Sequence, residues 1–206
     1  MKYALALTVF SLLLAGCSGP KSGPVEDIGK APATESAPAK FRVNVETSNG
    51  AFIVEVTKDD APLGADRFYN LVKSHYYDGA RFFRVVPGFV AQFGIAGDPK
   101  KQKAWDVRFQ DDPVKGTNKR GTLSFATAGP NTRTTQMFIN LADNPRLDGM
   151  GFSAFGTVVS GMEVVDRIYS GDGEGPDQKM IEEQGNAYLE KAFPKLDFIK
   201  TAKIAN

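Results

Sequence analysis

The stretch Phe82–Gly97, FFRVVPGFVAQFGIAG, carries the strongest signal for the fold. It consists of two short apolar runs separated by Pro87 and Gly88, a pattern typical of two strands joined by a turn. One cation, Arg84, and one amide, Gln92, stand among the hydrophobic residues. A lone arginine in such a run is often only an exposed strand position. This stretch alone therefore leaves a structural and a functional interpretation open.

A second block, GTLSFATAGPNTRTTQMFIN at Gly121–Asn140, also predicts two strands across a Gly/Pro/Asn turn. It adds Gln136 and Phe138 to the candidate site residues. Together the two blocks resemble the cyclophilin family of peptidyl-prolyl cis-trans isomerases. Three fragments in the same order carry the resemblance: FRVVPGFVAQ at Phe83–Gln92, ATAGPN followed by QMFI at Ala126–Ile139, and LDG at Leu147–Gly149 leading to Phe155-Gly156.

Alternating apolar residues and turn signals predict a mainly β domain of eight strands with two or three helices. The first hairpin turns at Asn49-Gly50, and a helix begins at Asp59-Asp60-Ala61-Pro62, where the acidic residues would form its cap. The lysine-rich run 100–103 is expected to be a solvated loop. Spacing alone does not separate a barrel from a sandwich.

The resemblance implies a closed eight-stranded antiparallel β-barrel capped by two helices, covering the chain from about Lys40 to its C-terminus. Asp177–Ala192 reads as an extra C-terminal helical segment beyond the family's minimal domain. We place the isomerase domain at residues 41–206.

The N-terminus has the layout of a secretory signal peptide, with a basic start and an apolar run too short to span a bilayer. Leu14-Ala15-Gly16-Cys17 resembles the lipobox of bacterial lipoproteins, and Cys17 is the only cysteine. We therefore expect a signal peptide at residues 1–16 and lipidation of Cys17 with acyl chains such as palmitate. An ordinary signal peptide with an incidental cysteine is the alternative.

Residues 17–40 are rich in Ser, Gly, Pro and Ala, so we expect a flexible linker between the lipid and the domain. The protein would then be exported and anchored to a bacterial membrane. In a Gram-negative host, Ser18 after the lipidated cysteine favours the outer membrane, facing the periplasm.

Charge and composition exclude several functions. Lys and Arg number 25 against 24 Asp and Glu, so nothing indicates nucleic-acid binding. His75 is the only histidine and the only cysteine is assigned to the lipid, which argues against nucleophilic triads and most zinc sites. The run GDGEG at Gly171–Gly175 lacks the ligand spacing of a calcium loop and is expected to be a plain turn. We expect no cofactor, no metal and a monomer.

Prolyl isomerisation needs no such groups. Rotation about a peptide bond has a barrier of about 18 to 20 kcal/mol, because the nitrogen shares its lone pair with the carbonyl. In the twisted state the imide nitrogen becomes pyramidal and its lone pair is localised. A guanidinium held near that nitrogen stabilises the twisted state more than either planar isomer. The resemblance assigns this catalytic role to Arg84, with Gln92 orienting it and Phe89 gripping the proline ring.

The same resemblance implies the substrate-binding positions. They line an apolar pocket for the proline ring and a groove for the extended peptide: Val90, Ala126, Thr127, Ala128, Gln136, Phe138, Leu147 and Phe152. For Phe89 and Phe138 a place in the barrel core is the alternative, and for Gln136 a role in bracing a loop.

The chain departs from the best-known members at several pocket positions. Arg146 stands where many have Trp or Phe, Phe152 where they have His or Tyr, Thr127 where Asn is usual, and Val90 where Met is usual. Because cyclosporin-type binding relies on the Trp position, the resemblance does not extend to it.

The main hypothesis is a lipid-anchored isomerase that acts on X-Pro bonds of exported proteins as they fold. The alternative is a chaperone or assembly module that binds proline-containing segments with little turnover. Arg84 favours the enzyme, since holding a proline ring requires the pocket and not the cation.

Overall fold

The computed structural model describes residues 34–205. Its strands form one antiparallel sheet, and they are β1 (Lys40–Thr47), β2 (Gly50–Thr57), β3 (Arg84–Val86), β4 (Val90–Phe93), β5 (Thr122–Phe125), β6 (Met137–Asn140), β7 (Ala154–Ser160) and β8 (Ile199–Ala205). The helices are α1 (Pro62–Lys73), α2 (Pro99–Trp105), α3 (Arg146–Gly149), α4 (Met162–Asp166), α5 (Gln178–Gln184) and α6 (Asn186–Ala192). The mainly β class and the number of strands are as predicted.

The sheet is an open, curled half-barrel. Its strand order is β3-β4-β6-β5-β7-β2-β1-β8, which leaves β3 and β8 as the two edges. These two edge strands do not pair with each other. Instead, the segment just before β3 meets the start of β8, through a bridge between Arg81 and Phe198 and backbone hydrogen bonds such as Ile199 N to Ala80 O (2.9 Å). The outer edge of β3 is instead occupied by a loop, because Val85 N donates to Gly173 O (3.1 Å). The predicted closed barrel is therefore wrong, and six α-helices within residues 34–205 replace the predicted two caps and one extra segment.

Nearly every residue of strands β4, β5 and β6 is buried. Since successive side chains point to opposite sides of a strand, both faces of these three strands are covered. One face contributes to the main hydrophobic core, through Ala91, Phe93, Leu123, Phe125, Met137 and Ile139. The opposite face carries a second set of buried side chains: Val90, Gln92, Ser124, Phe138 and Asn140. This second face is the floor of the candidate site.

Helix α1 packs against β7 and β8, burying Phe68, Leu71 and Val72 in the main core. Pro62 occupies its first turn as predicted. The predicted cap is different: Asp59 and Asp60 form a short 3-10 turn, and the N–H groups of Leu63 and Gly64 donate to Asp112, at 2.9 and 2.7 Å. A carboxylate distant in sequence thus satisfies the free amides of the helix start.

Two backbone amides that precede the predicted domain boundary at Phe41 contact helix α1. Glu35 N donates to Asn70 Oδ1 (2.9 Å), and Ala37 N donates to Asp66 Oδ1 (2.7 Å). These contacts fasten residues 35–37 to α1.

The lysine-rich run predicted as a loop is helix α2. Asp98 caps it by accepting a hydrogen bond from Lys100 N (2.9 Å), and its Gln102 and Trp105 are buried. Trp105 lies in the main core, packed edge-on against Tyr76. The helix is therefore part of the folded core.

Helices α5 and α6 form the predicted C-terminal helical segment and pack on one another. They form a small second cluster of buried residues with segments that flank β3, β4 and β8: Phe83, Ile95, Ile181, Leu189 and Leu196. Within residues 34–205, none of the helices has the length and apolar character needed to cross a membrane.

Candidate active site

Three of the predicted site residues lie in one row across the sheet. In the antiparallel register Arg84 on β3 pairs with Gln92 on β4, and Gln92 pairs with Phe138 on β6. Directly opposite residues of neighbouring strands project from the same face. Residues far apart in the sequence thus meet because the sheet register is fixed.

A chain of hydrogen bonds holds the polar members of this row. Arg84 Nη1 donates to Gln92 Oε1 (3.2 Å), and Gln92 Nε2 donates to Gln136 Oε1 (3.0 Å). Arg84 also lies over the ring of Phe89, with 5.7 Å between Cζ and the ring centroid. The guanidinium is therefore oriented by an amide and an aromatic face at once.

Beside Arg84 is a largely apolar pocket of about 240 Å³. Every predicted catalytic or substrate-binding residue lines it except Ala128 and Gln136, and Met150 joins the lining. Val90, Phe138 and Leu147 form its buried floor, against which Phe89, Ala126 and Phe152 pack. Phe152 meets the ring of Phe138 edge-on at 5.5 Å. Both phenylalanines predicted alternatively as core, Phe89 and Phe138, thus belong to this separate cluster.

Ala128 and Gln136 line an adjoining groove of about 380 Å³, which shares Gln92, Ala126 and Thr127 with the pocket. The groove is more polar, and sequence reasoning missed most of its wall: Asp106, Arg108, Thr132, Thr134, Gln178 and Glu182. Partial burial raises the pKa of Glu182, and the nearby Asp106 and Glu183 raise it further. Gln136 lines the groove and also accepts the hydrogen bond from Gln92 on β4.

A glycine allows the groove and the pocket to lie side by side. Gly94, at the end of β4, has a φ of +104°, and a Cβ there would lie 2.5 Å from Thr135 O. Only glycine permits this close approach of the two backbones. The approach brings Gln136 within reach of Gln92.

Behind the pocket is a buried polar network that sequence reasoning also missed. Asn118 is fully buried and accepts hydrogen bonds from Ser124 Oγ (2.7 Å) and Asn140 Nδ2 (3.1 Å). Its Nδ2 donates to Asp148 Oδ1 (2.7 Å) and to Phe152 O (2.9 Å). Asn118 thus connects β5 and β6 to the segment 148–152, which forms one wall of the pocket.

The same network reaches the other side of the pocket. Asn144 Nδ2 donates to Asn140 Oδ1 (2.9 Å) and to Phe89 O (3.0 Å). Fully satisfied buried networks are rigid, because breaking one bond leaves a desolvated polar group. Phe89 and Phe152 are therefore held by the same set of asparagines.

Asp148 on α3 fastens that wall from its outer side. Desolvation raises the pKa of this carboxyl, but hydrogen bonds from the Thr117 hydroxyl and from Asn118 outweigh it, so the pKa of Asp148 lies below its usual value. Asn118 N also donates to Asp148 Oδ1 (2.8 Å). The ionised carboxylate is the form that stabilises the loop.

The departures from the family pattern are visible at the rim. Arg146 stacks on Phe89 from 5.0 Å, so the ring of Phe89 contacts both Arg146 and Arg84. Trp105, in the main core, is not among the residues that line the pocket. The position of Arg146 therefore presents a cation where many cyclophilins have an aromatic ring.

Some predictions concern groups away from this pocket. Residues 1–16, Cys17 and the first part of the predicted linker lie outside the described residues. Gly171–Gly175 is a turn, as predicted. Within residues 34–205, no three His, Cys, Asp or Glu side chains are arranged to hold a metal ion.

Comparisons with known proteins agree on the family. A family model described as "Cyclophilin type peptidyl-prolyl cis-trans isomerase/CLD" matches residues 42–185. A peptidyl-prolyl cis-trans isomerase of Acinetobacter baylyi is 38% identical over 136 residues, which cover 63% of this chain and 72% of that protein. The isomerase ppi1 of Schizosaccharomyces pombe is 40% identical over 133 residues, covering 61% and 83%.

A crystal structure of a cyclophilin type peptidyl-prolyl cis-trans isomerase from Cryptosporidium parvum matches with a TM-score of 0.62. It is 24% identical and covers 81% of this chain and 98% of that chain, which establishes the likeness of fold. The chain belongs to the cyclophilin-type peptidyl-prolyl cis-trans isomerase family. The family resemblance found in the sequence is thus confirmed.

Proposed function

We propose that this protein catalyses cis-trans isomerisation of X-Pro bonds, with Arg84 as its main catalytic residue. The observation that carries the proposal is the guanidinium of Arg84 at the edge of an apolar pocket, held by Gln92 and Phe89. The family's curated relatives are peptidyl-prolyl isomerases. A second structure of the Cryptosporidium protein, 24% identical with a TM-score of 0.61, was determined in the presence of the dipeptide Ala-Pro.

In the mechanism, the proline ring enters the pocket against Phe138, Leu147 and Phe152, while the extended peptide lies along the groove beside Thr127 and Ala128. Fixing the ring holds one side of the X-Pro bond while the other side rotates. When the bond twists, the lone pair localises on the imide nitrogen and accepts a hydrogen bond from Arg84. Because this bond is stronger in the twisted state than in either planar isomer, it lowers the barrier.

The competing function is a proline-binding module with little turnover. It would use the same pocket but would not need the cation at its edge. NMR exchange spectroscopy on an Ala-Pro peptide separates the two functions. We expect the purified protein to accelerate exchange and Arg84→Ala to lose the acceleration. Arg167→Ala, which changes an exposed arginine directly after α4, should keep it. Binding without acceleration by the unaltered protein would establish the module instead.

We also propose that the protein is an exported lipoprotein. The support is a single cysteine, Cys17, directly after an apolar run and the small residues Ala15 and Gly16. Acyl chains on this residue would tether the domain to the membrane, and its substrates would be exported proteins that fold there. In a Gram-negative host, Ser18 favours the outer membrane, with the domain in the periplasm. We expect a monomer, which light scattering of the Cys17→Ser protein would test.

Metabolic labelling with an alkyne fatty acid tests the anchor. We expect the protein expressed in a bacterium to incorporate the label and to sediment with membranes, and Cys17→Ser to do neither. A label that persists in Cys17→Ser, or an unlabelled native protein, would contradict the proposed anchor.

A further inference from the structure

An acidic side chain from a distant loop contacts the guanidinium of Arg84. Glu174 Oε1 accepts a hydrogen bond from Arg84 Nε at 2.5 Å, across 90 residues of sequence. The side chain of Arg84 is 26% exposed and that of Glu174 is 64% exposed. The contact is therefore at the rim of the pocket, on the side of the guanidinium away from Gln92.

The loop that carries Glu174 is fixed to the edge of the catalytic strand. Val85, the neighbour of Arg84, donates its N–H to Gly173 O (3.1 Å). Within the loop, Gly173 N donates to Ser170 O (3.1 Å) and Gly175 N donates to Asp172 O (2.8 Å). The run of small and acidic residues thus forms a compact turn whose carbonyl extends the β3 edge.

The added C-terminal helices support this loop from behind. Asp177 N, at the start of α5, donates to Tyr188 Oη on α6 (3.2 Å), and Tyr188 packs edge-on against Phe193 at 5.7 Å. Phe193 lies close to Gly175, since a Cβ on that glycine would be 3.4 Å from the Phe193 ring. The helices also bury Phe83, the residue before Arg84, in their own cluster. They therefore hold both the loop and the strand in place.

We propose that Glu174 is a positioning residue for Arg84, and that α5 and α6 serve to hold it there. This inference rests on the proposed isomerase function. Gln92 binds Nη1 and Glu174 binds Nε, so two acceptors fix the plane of the guanidinium. A planar group held at two of its nitrogens keeps its remaining N–H groups aimed in one direction. Arg84 lines the pocket, so these N–H groups are available to the imide nitrogen of a twisted X-Pro bond bound there.

Two substitutions separate hydrogen bonding from charge. Glu174→Ala removes the acceptor, and we expect the isomerisation rate of the bound peptide to fall about five- to tenfold, with the peptide Kd changed less than about twofold. Glu174→Gln keeps an oxygen acceptor and should stay within about twofold of the native rate. Glu163→Ala removes another exposed glutamate, on α4, and serves as the matched control. NMR exchange measured over a series of peptide concentrations separates the rate from the Kd.

A second measurement reads the position of Arg84 without any turnover. In the native protein, the Arg84 Nε–H resonance should be shifted and protected from solvent exchange by Glu174. Glu174→Ala should remove the protection and Glu174→Gln should restore it. Thermal unfolding of each variant checks that the fold is retained.

Each outcome has one meaning. A Glu174→Ala rate within twofold of native, a Glu174→Gln rate as low as that of Glu174→Ala, or an unchanged Arg84 Nε–H resonance would overturn the positioning role. If the native protein accelerated nothing, the proposed isomerase function would fail. The Nε–H resonance would still decide whether Glu174 positions Arg84.

Discussion

Replacing Asn118 by alanine tests whether the buried network builds the pocket. The substitution removes two hydrogen bonds donated by Nδ2, to Asp148 and Phe152, and two accepted by Oδ1, from Ser124 and Asn140. A buried hydrogen bond contributes about 1 kcal/mol net, and a buried group left unpaired costs about 1 to 3 kcal/mol. Asn140 Nδ2 keeps a second acceptor, Thr122 Oγ1 (2.9 Å), so part of the cost is avoided.

We therefore expect Asn118→Ala to lower the free energy of unfolding by about 2 to 4 kcal/mol. For a domain of this size the corresponding fall in Tm is about 5 to 15 °C. Urea and thermal unfolding measure both quantities, and Asn44→Ala, an exposed asparagine on β1, is the control with a loss below about 0.5 kcal/mol.

The same variant should weaken proline-peptide binding severalfold, because Phe152 and Asp148 lose their support. A loss of stability below about 1 kcal/mol, or a large loss with unchanged peptide affinity, would refute the idea that Asn118 couples the sheet to the pocket wall.

Further predictions concern the rim, the floor and the backbone of the site. Asp148→Asn should destabilise the protein at neutral pH. Because the pKa of Asp148 is lowered in the folded state, its contribution is complete above the unfolded pKa of about 3.9 and is lost as the pH falls through the folded value, so urea titrations of the two proteins should converge in acid. Phe138→Ala should raise the peptide Kd at least about tenfold in calorimetry, since it empties the pocket floor and loses about 3 kcal/mol of packing; an unchanged Kd would place the proline elsewhere. Gly94→Ala should cost more than about 1 kcal/mol in thermal unfolding, because its Cβ meets Thr135 O; an unchanged Tm would show that the two backbones separate easily.

The pocket residues could be predicted because they lie in short local patterns. Arg84 and Gln92 are eight positions apart on one hairpin, and the register that pairs them follows from the turn at Pro87-Gly88. Phe138 was predicted as a third site residue because it lies in QMFI, part of the second block that resembles the family. These residues needed only strand periodicity and motif order, which a sequence displays directly.

The supporting groups could not be predicted in the same way. Glu174 and Asn118 act on partners 90 and 30 residues away, and their own surroundings in the sequence are ordinary turns. Nothing in local spacing shows which loop will dock on a sheet edge. Local spacing also could not show that the sheet is open. A closed barrel would need β3 to pair with β8, but it is the segment before β3 that meets β8.

Helix α2 is a different kind of error. Its lysines suggested a solvated loop, but Asp98-Pro99 is a helix-start signal, with an acidic cap followed by proline in the first turn. Gln102 and Trp105 on one side of that helix also fit its period. The sequence thus contained a helix-start pattern, but the lysines of residues 100–103 favoured the prediction of a loop.

The central claim is that Arg84 stabilises the twisted X-Pro bond and not the bound peptide itself. The most direct test measures both quantities on Arg84→Ala with one Ala-Pro peptide, using NMR exchange over a range of peptide concentrations. We predict that isomerisation of the bound peptide slows at least about 100-fold while the Kd changes less than about threefold. A rate and a Kd that weaken together would show that Arg84 binds the substrate uniformly, and would contradict the account.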